Sequence, residues 1–150
     1  VQLPANLASI SSYTFSGCTG LENVGLPANL LTIGNNAFYQ CTSLKEITIP
    51  GGVVTIENQA FGDCDLRKVI LEMGITSIGD GAFSGCNKLG EVVFPESMTT
   101  LSGFNNTGIK EIVFPYLLQA GWQDNCFQTV TTTESTVSDT YDTLGDRDTP

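Results

Sequence analysis

Five phenylalanines recur along the chain at an almost constant spacing. Phe15, Phe38, Phe61, Phe83 and Phe104 stand 23, 23, 22 and 21 residues apart. A repeat of about 20–50 residues is typical of solenoids, in which each repeat forms one turn of the chain. A unit of this length cannot bury its own apolar face, so successive units must stack. The spacing therefore predicts a solenoid of about five coils.

Other positions of the repeat follow the same spacing. A cysteine lies three residues after each of the first four phenylalanines, and Thr107 occupies the fifth such position. An aliphatic residue and then two alternating apolar residues follow, as in Ile47 and Ile49. Alternation of this kind places both side chains on one face of a β-strand. We therefore expect a parallel β-sheet on one face of the solenoid and short helical or 3₁₀ turns, built from the phenylalanine-to-cysteine segments, on the opposite face.

These repeats resemble those of a known family. The units Phe38-x-x-Cys41-x-x-Leu44-x-x-Ile47-x-Ile49-Pro50 and Phe83-x-x-Cys86-x-x-Leu89-x-x-Val92-x-Phe94-Pro95 are similar to the leucine-rich repeats of BspA-like surface proteins, over about residues 3–115. The resemblance implies a leucine-rich-repeat solenoid without catalytic residues. It also implies an extracellular or cell-surface protein that adheres to proteins of a host or neighbouring cell, or of the extracellular matrix.

The repeat pattern weakens towards the C-terminus. We expect the solenoid to occupy residues 1–127, with residues 116–127 as a degenerate last coil or cap containing Trp122. Residues 128–150 are rich in Thr, Ser and Asp, which predicts an acidic tail or linker. At the N-terminus, Leu3 and Pro4 already resemble the end of a strand. We expect either a longer array or an end covered by another molecule.

Charge and composition exclude several classes of function. The chain has 16 acidic and 6 basic residues and a net charge of −10, which repels phosphate backbones and argues against nucleic acid as a partner. No apolar run approaches the ~20 residues that span a bilayer, so we expect no membrane insertion by this segment. Histidine is absent, which removes the commonest general base and metal ligand. We predict a protein that is not an enzyme and holds no cofactor.

The cysteine column admits two interpretations. Stacking would place Cys18, Cys41, Cys64 and Cys86 about 5 Å apart, which lies within the Cα range of disulfides. A zinc site needs ligands that converge on a point, whereas a column arranges them along a line. We favour free, buried thiols, with disulfides as the alternative. Cys126 lies outside the column, and we expect it to be exposed.

The residue between the two buried positions of each strand should point outwards. This position holds Gly25, Thr48, Ile70, Val93 and Val113, which become apolar towards the C-terminal repeats. Outward apolar residues indicate a contact surface, although ordinary strand propensity explains them equally well. We predict a protein-binding surface formed by Thr48, Ile70, Val93 and Val113 with a charged rim formed by Glu46, Lys68, Glu91 and Glu111.

Two functions remain compatible with the sequence. The first is a protein-binding or adhesion module that uses this surface and is displayed at the cell surface or secreted. The alternative is a structural role, in which uncapped solenoid ends associate with one another and the coils stack end to end.

Overall fold

The chain winds into a parallel β-solenoid of about four turns of about 23 residues, as described by a computed structural model for residues 1–95 and 102–109. We number each coil by its phenylalanine, so that Phe15 belongs to coil 1 and Phe104 to coil 5. This architecture confirms the predicted solenoid. The predicted cap at 116–127, the tail at 128–150 and the residues Val113, Glu111 and Cys126 lie outside the described residues.

Short parallel strands line two faces of the solenoid. In the described ranges these are β1 (Ser9–Ile10), β2 (Thr32–Ile33), β3 (Glu46–Ile49), β4 (Thr55–Ile56), β5 (Lys68–Leu71), β6 (Ser77–Ile78) and β7 (Glu91–Val93). The longer strands form a three-stranded sheet in the order β3-β5-β7, and the two-residue strands form a four-stranded sheet in the order β1-β2-β4-β6. The alternating apolar residues predicted the three-stranded sheet. The four-stranded sheet is an addition to that prediction.

The strand register keeps each sequence column in line. Ile47 pairs with Val69, and Val69 pairs with Val92, while Ile33 pairs with Ile56 in the four-stranded sheet. Ile33, Ile56 and Val69 are fully buried, so the inner faces of both sheets form one core. The burial pattern of β3 alternates between exposed and buried positions, which is the periodicity that the sequence shows.

A continuous stack of phenyl rings fills the core at the turn face. Neighbouring rings from Phe15 to Phe104 have centroids 5.1, 5.0, 5.2 and 4.8 Å apart, and interplanar angles between 2° and 13°. The rings of Phe38, Phe61, Phe83 and Phe104 are completely buried. A nearly constant sequence spacing thus becomes a constant axial spacing, with each ring covering the next.

The turn face contains no helix within residues 1–95 and 102–109, so the expectation of helical or 3₁₀ turns was wrong. The reason is the backbone conformation two residues before and two residues after each phenylalanine. These positions are left-handed at Tyr13, Asn36, Gln59 and Gly81, and at Gly17, Gln40, Asp63, Gly85 and Asn106. A right-handed helix cannot accommodate positive φ angles at such short intervals, and the segment forms successive tight turns.

Alternate amides of these turns bond in two directions. The Tyr39 N–H donates to the Asn36 carbonyl of its own coil at 3.1 Å, whereas the Phe38 N–H donates to the Ala60 carbonyl of the next coil at 2.7 Å. The Gln40 N–H again reaches the next coil, at Gly62. The turn face is therefore a third row of hydrogen bonds between coils, beside the two sheets.

Candidate interaction surface

Three residues of the predicted surface form one row across the three-stranded sheet. Thr48 of β3 pairs with Ile70 of β5, and Ile70 pairs with Val93 of β7. Thr48 and Val93 are exposed, Val93 to 46%, and Ile70 is half-buried. We call these three residues the outer row. The strands hold them about 4.8 Å apart, on a face whose backbone is fixed by the buried residues beneath.

The predicted charged rim lies beside the outer row. Glu46, Lys68 and Glu91 occupy one register line across β3, β5 and β7. The Lys68 ammonium lies 2.8 Å from the Glu91 carboxylate. Its hydrogen bond to Glu91 and the charge of that carboxylate raise the pKa of Lys68. Among the described residues Glu46 forms no ion pair within 4.0 Å, although its charge also raises the pKa of Lys68, its partner in register.

A second charged cluster joins three coils near the start of these strands. Asp65 lies between Lys45 of coil 2, at 3.1 Å, and Lys88 of coil 4. The lysines lower the pKa of Asp65, with the larger effect from Lys88. Asp65 was not among the residues predicted from the sequence. It is the single residue between Cys64 and Leu66, where two residues separate Cys41 from Leu44, but this spacing does not indicate its lysine partners.

The cysteines are free thiols, as favoured from the sequence, at Cys18, Cys41, Cys64 and Cys86. The last three are buried, and each donates to the phenylalanine carbonyl of the preceding coil at 3.0–3.2 Å. Burial raises the pKa of the Cys86 thiol to about 12, so it remains protonated near neutral pH. Cys18, in coil 1, is exposed, contrary to expectation.

The described part of the chain contains neither a metal-ligand cluster nor a membrane-spanning helix. Across residues 1–95 and 102–109, no three Cys, Asp or Glu side chains converge in a way that would hold a metal ion. Nor does any segment of this part form an apolar helix of membrane-spanning length. The candidate site is therefore the outer face of the three-stranded sheet, with the outer row and the charged rim beside it.

The repeat can now be compared with known families. A family model described as "BspA type Leucine rich repeat region" matches residues 8–134 in six copies. The chain belongs to the BspA-type leucine-rich-repeat family. The match confirms the family that the spacing of phenylalanine and cysteine indicated.

Two solved structures resemble this BspA-type repeat chain. A leucine-rich repeat protein from Bacteroides ovatus has 34% sequence identity and a TM-score of 0.67, over 76% of this chain and 30% of its own. A leucine-rich repeat protein of T. pallidum has 34% identity and a TM-score of 0.65, over 69% of this chain and 51% of its own. This chain therefore spans about a third of the first structure and about half of the second. No curated protein matches the BspA-type repeat chain.

Proposed function

We propose that this chain is a non-catalytic protein-binding module, displayed at the cell surface or secreted, that adheres through the outer row. The partner is a protein on a host or neighbouring cell, or in the extracellular matrix. The observation that carries the proposal is the outer row, in which the exposed Val93 and the half-buried Ile70 continue the line of Thr48 across the sheet. Membership in a repeat family whose domains generally bind proteins supports it.

The physical case rests on preorganisation. Val69 and Leu71 beside Ile70 point into the core, so β5 presents its outer residue from a fixed backbone. A partner that covers the row removes Ile70 and Val93 from water and orders little new chain, which lowers the entropic cost of association. The ion pair between Lys68 and Glu91 lies at the rim, where charges affect specificity and association rate more than affinity. Val113 and Glu111 lie outside the described residues, and only the sequence spacing predicts that they belong to the same row and rim.

The test compares Val93→Glu with Val54→Glu. The two valines are exposed to 46% and 47%, but Val54 precedes β4 on a different face. Binding of each variant to purified extracellular-matrix proteins is measured by surface plasmon resonance. We expect Val93→Glu to weaken binding at least about tenfold, because a buried unpaired carboxylate costs more than 1.4 kcal/mol. Val54→Glu should leave the affinity unchanged.

Circular dichroism of both variants verifies that the solenoid is intact. Equal affinities of wild type and Val93→Glu would exclude the outer row as the binding surface. Equal losses in both variants would show that added negative charge alone, and not its position, weakens the complex.

A further inference from the structure

The three-stranded sheet ends abruptly at β3, next to coil 1. The segment Asn23–Leu26 occupies the equivalent position in coil 1, and its Gly25 pairs with Gln2 on the far side. Among the described residues, no backbone hydrogen bond joins Asn23–Leu26 to β3. The same two coils are joined elsewhere, since Ser9 pairs with Thr32 and the rings of Phe15 and Phe38 stack. The solenoid is therefore open between coils 1 and 2 on this face alone.

The backbone edge of β3 that faces coil 1 forms no hydrogen bond with Asn23–Leu26. In a parallel ladder, both backbone groups of a residue point to the same neighbouring strand, and successive residues alternate. The carbonyls of Lys45 and Ile49 accept from the next coil, at 2.7 Å from Arg67 N and 3.0 Å from Glu72 N. The N–H and C=O groups of Glu46 and Thr48 therefore face the opening. Such an edge is a template for another extended chain.

The opening is a groove that follows the length of β3. One part, of about 350 Å³, lies between Asn23–Leu26 and β3 and ends at Pro50. A second part, of about 440 Å³, continues at the other end of β3 and shares Asn23 and Glu46 with the first. Both volumes lie in the range of ligand-binding clefts. Val24 and Leu26 are only half-buried, whereas the facing Ile47 is buried, so the groove has an apolar wall.

The charged residues that line the groove indicate which kind of peptide would bind there. Glu22 and Glu46 line the groove, and Glu72 lines its end near Pro50. The one basic residue on its wall, Lys45, is occupied by the Asp65 carboxylate at 3.1 Å and the Thr42 carbonyl at 2.8 Å. The groove is therefore acidic with a neutralised lysine, and a cationic partner complements it.

We propose that an extended basic peptide binds in this groove by adding a strand to β3. Its backbone bonds with the N–H and C=O groups of Glu46 and Thr48. Alternate side chains of the peptide then follow the alternation of β3. One set, Lys or Arg, lies on the outer side beside Glu46, and the other set, small and apolar, lies on the inner side with Ile47. This site shares Glu46 and Thr48 with the surface proposed above, but it binds through the backbone edge of β3 and does not include Ile70 or Val93.

The experiment uses the fluorescein-labelled peptide Lys-Val-Lys-Val-Lys, with blocked ends, and measures anisotropy as the protein is titrated. We expect saturable binding that weakens at high salt. The same peptide with alternate backbone nitrogens methylated keeps its charge and loses its donors, so it should bind at least about tenfold more weakly. The peptide Glu-Val-Glu-Val-Glu should not bind. Equal binding of the methylated and unmethylated peptides, or no saturable binding, would overturn the proposal.

Three protein variants locate the site. Thr48→Pro removes the N–H that faces the groove and is compatible with an edge strand, so it should abolish peptide binding. Thr48→Ala keeps that N–H and should retain it. Val93→Glu should leave peptide affinity unchanged, which separates this site from Ile70 and Val93 of the outer row.

Amide hydrogen exchange gives an independent readout, since the amides of Glu46 and Thr48 should become protected only when the peptide is bound. Unchanged exchange at both residues would contradict strand addition even if Thr48→Pro failed to fold.

Discussion

Phe61 lies at the middle of the phenyl stack and shows how much one position contributes to the solenoid. Its ring centroid is 5.0 Å from that of Phe38 and 5.2 Å from that of Phe83, and the side chain is completely buried. The backbone of the same residue bonds to coil 4 through its N–H, at 2.7 Å from the Ala82 carbonyl. Loss of the ring would leave a cavity that the rigid coils above and below cannot close.

We expect Phe61→Ala to lower the free energy of unfolding by about 3–5 kcal/mol, the range for buried phenylalanine truncations. Urea denaturation followed by circular dichroism measures the change. Phe15→Ala is the matched control. Phe15 is half-buried and stacks on Phe38 alone, so its loss should be clearly smaller. Equal losses at the two positions would show that the stack does not depend on its central ring.

For single residues, the sequence predicted the positions that recur in every coil. It did not predict properties of a residue that depend on side chains in other coils. The spacing identified the stacked phenylalanines and the free thiols because each recurs once per coil. The exposure of Cys18 depends on which side chains cover it, and the two ion pairs of Asp65 depend on lysines in other coils. No local pattern encodes either.

At the scale of the elements, the turn depends on left-handed residues that flank each phenylalanine. The position two residues after the ring holds Gly17, Gln40, Asp63 and Gly85, all with positive φ. Glycine adopts this conformation freely, whereas other residues lose about 1–2 kcal/mol there. A methyl group at Gly85 would also meet the Asp63 carboxylate of the preceding coil. Two substitutions in one column should therefore change stability in opposite directions.

We expect Gln40→Gly to stabilise the protein by about 0.5–1 kcal/mol, because relief of backbone strain exceeds the entropy that glycine adds to the unfolded chain. Gly85→Ala should destabilise it by about 1–2 kcal/mol. For a chain of this size these values shift Tm by about 2–4 °C per kcal/mol, upwards for the first variant and downwards for the second. Shifts of the same sign in calorimetry would contradict this account of the turn.

The elements differ in how far sequence predicted them. The three-stranded sheet follows from alternation over four residues, as in Glu46–Ile49. The four-stranded sheet has two-residue strands such as Thr32–Ile33, too short for alternation to show. The turn was assigned a helical form because left-handed Tyr13, Asn36 and Gln59 are not glycines and carry no strong signal. The alignment of Thr48, Ile70 and Val93 across the sheet was predictable from the repeat, and their role in binding stays a prediction. The groove follows from the missing pairing of Gly25 with Thr48.

At the scale of the whole molecule, each coil contacts its neighbours through the same columns, and stability is close to a sum over coils and their interfaces. Coils 2 and 3 present equivalent residues to one another, with Ile47 beside Val69 and Ile33 beside Ile56. A whole coil can therefore be removed without loss of register. The same deletion would disrupt a globular fold, in which each segment packs against segments that are distant in the sequence.

We expect deletion of residues 39–61, one repeat from Phe38 to Phe61, to give a shorter solenoid that still folds. The loss of 23 residues should lower the free energy of unfolding by about 1–3 kcal/mol and reduce the urea m-value in proportion to the surface lost. Deletion of residues 39–50 removes half a coil and should prevent folding, because turn segments would then stack on strands. Loss of structure in both deletions would argue for one indivisible core.

The opening beside β3 gives the molecule a mechanical weak line. A tensile load along the axis is carried between coils 2 and 3 by three rows of bonds: the two sheets and the turn amides. Between coils 1 and 2 it is carried by two rows, because Asn23–Leu26 contributes none. The load on each remaining bond is therefore higher between coils 1 and 2 than between coils 2 and 3. Under pulling, coil 1 should separate from coil 2 before coil 2 separates from coil 3, while β3, β5 and β7 remain paired.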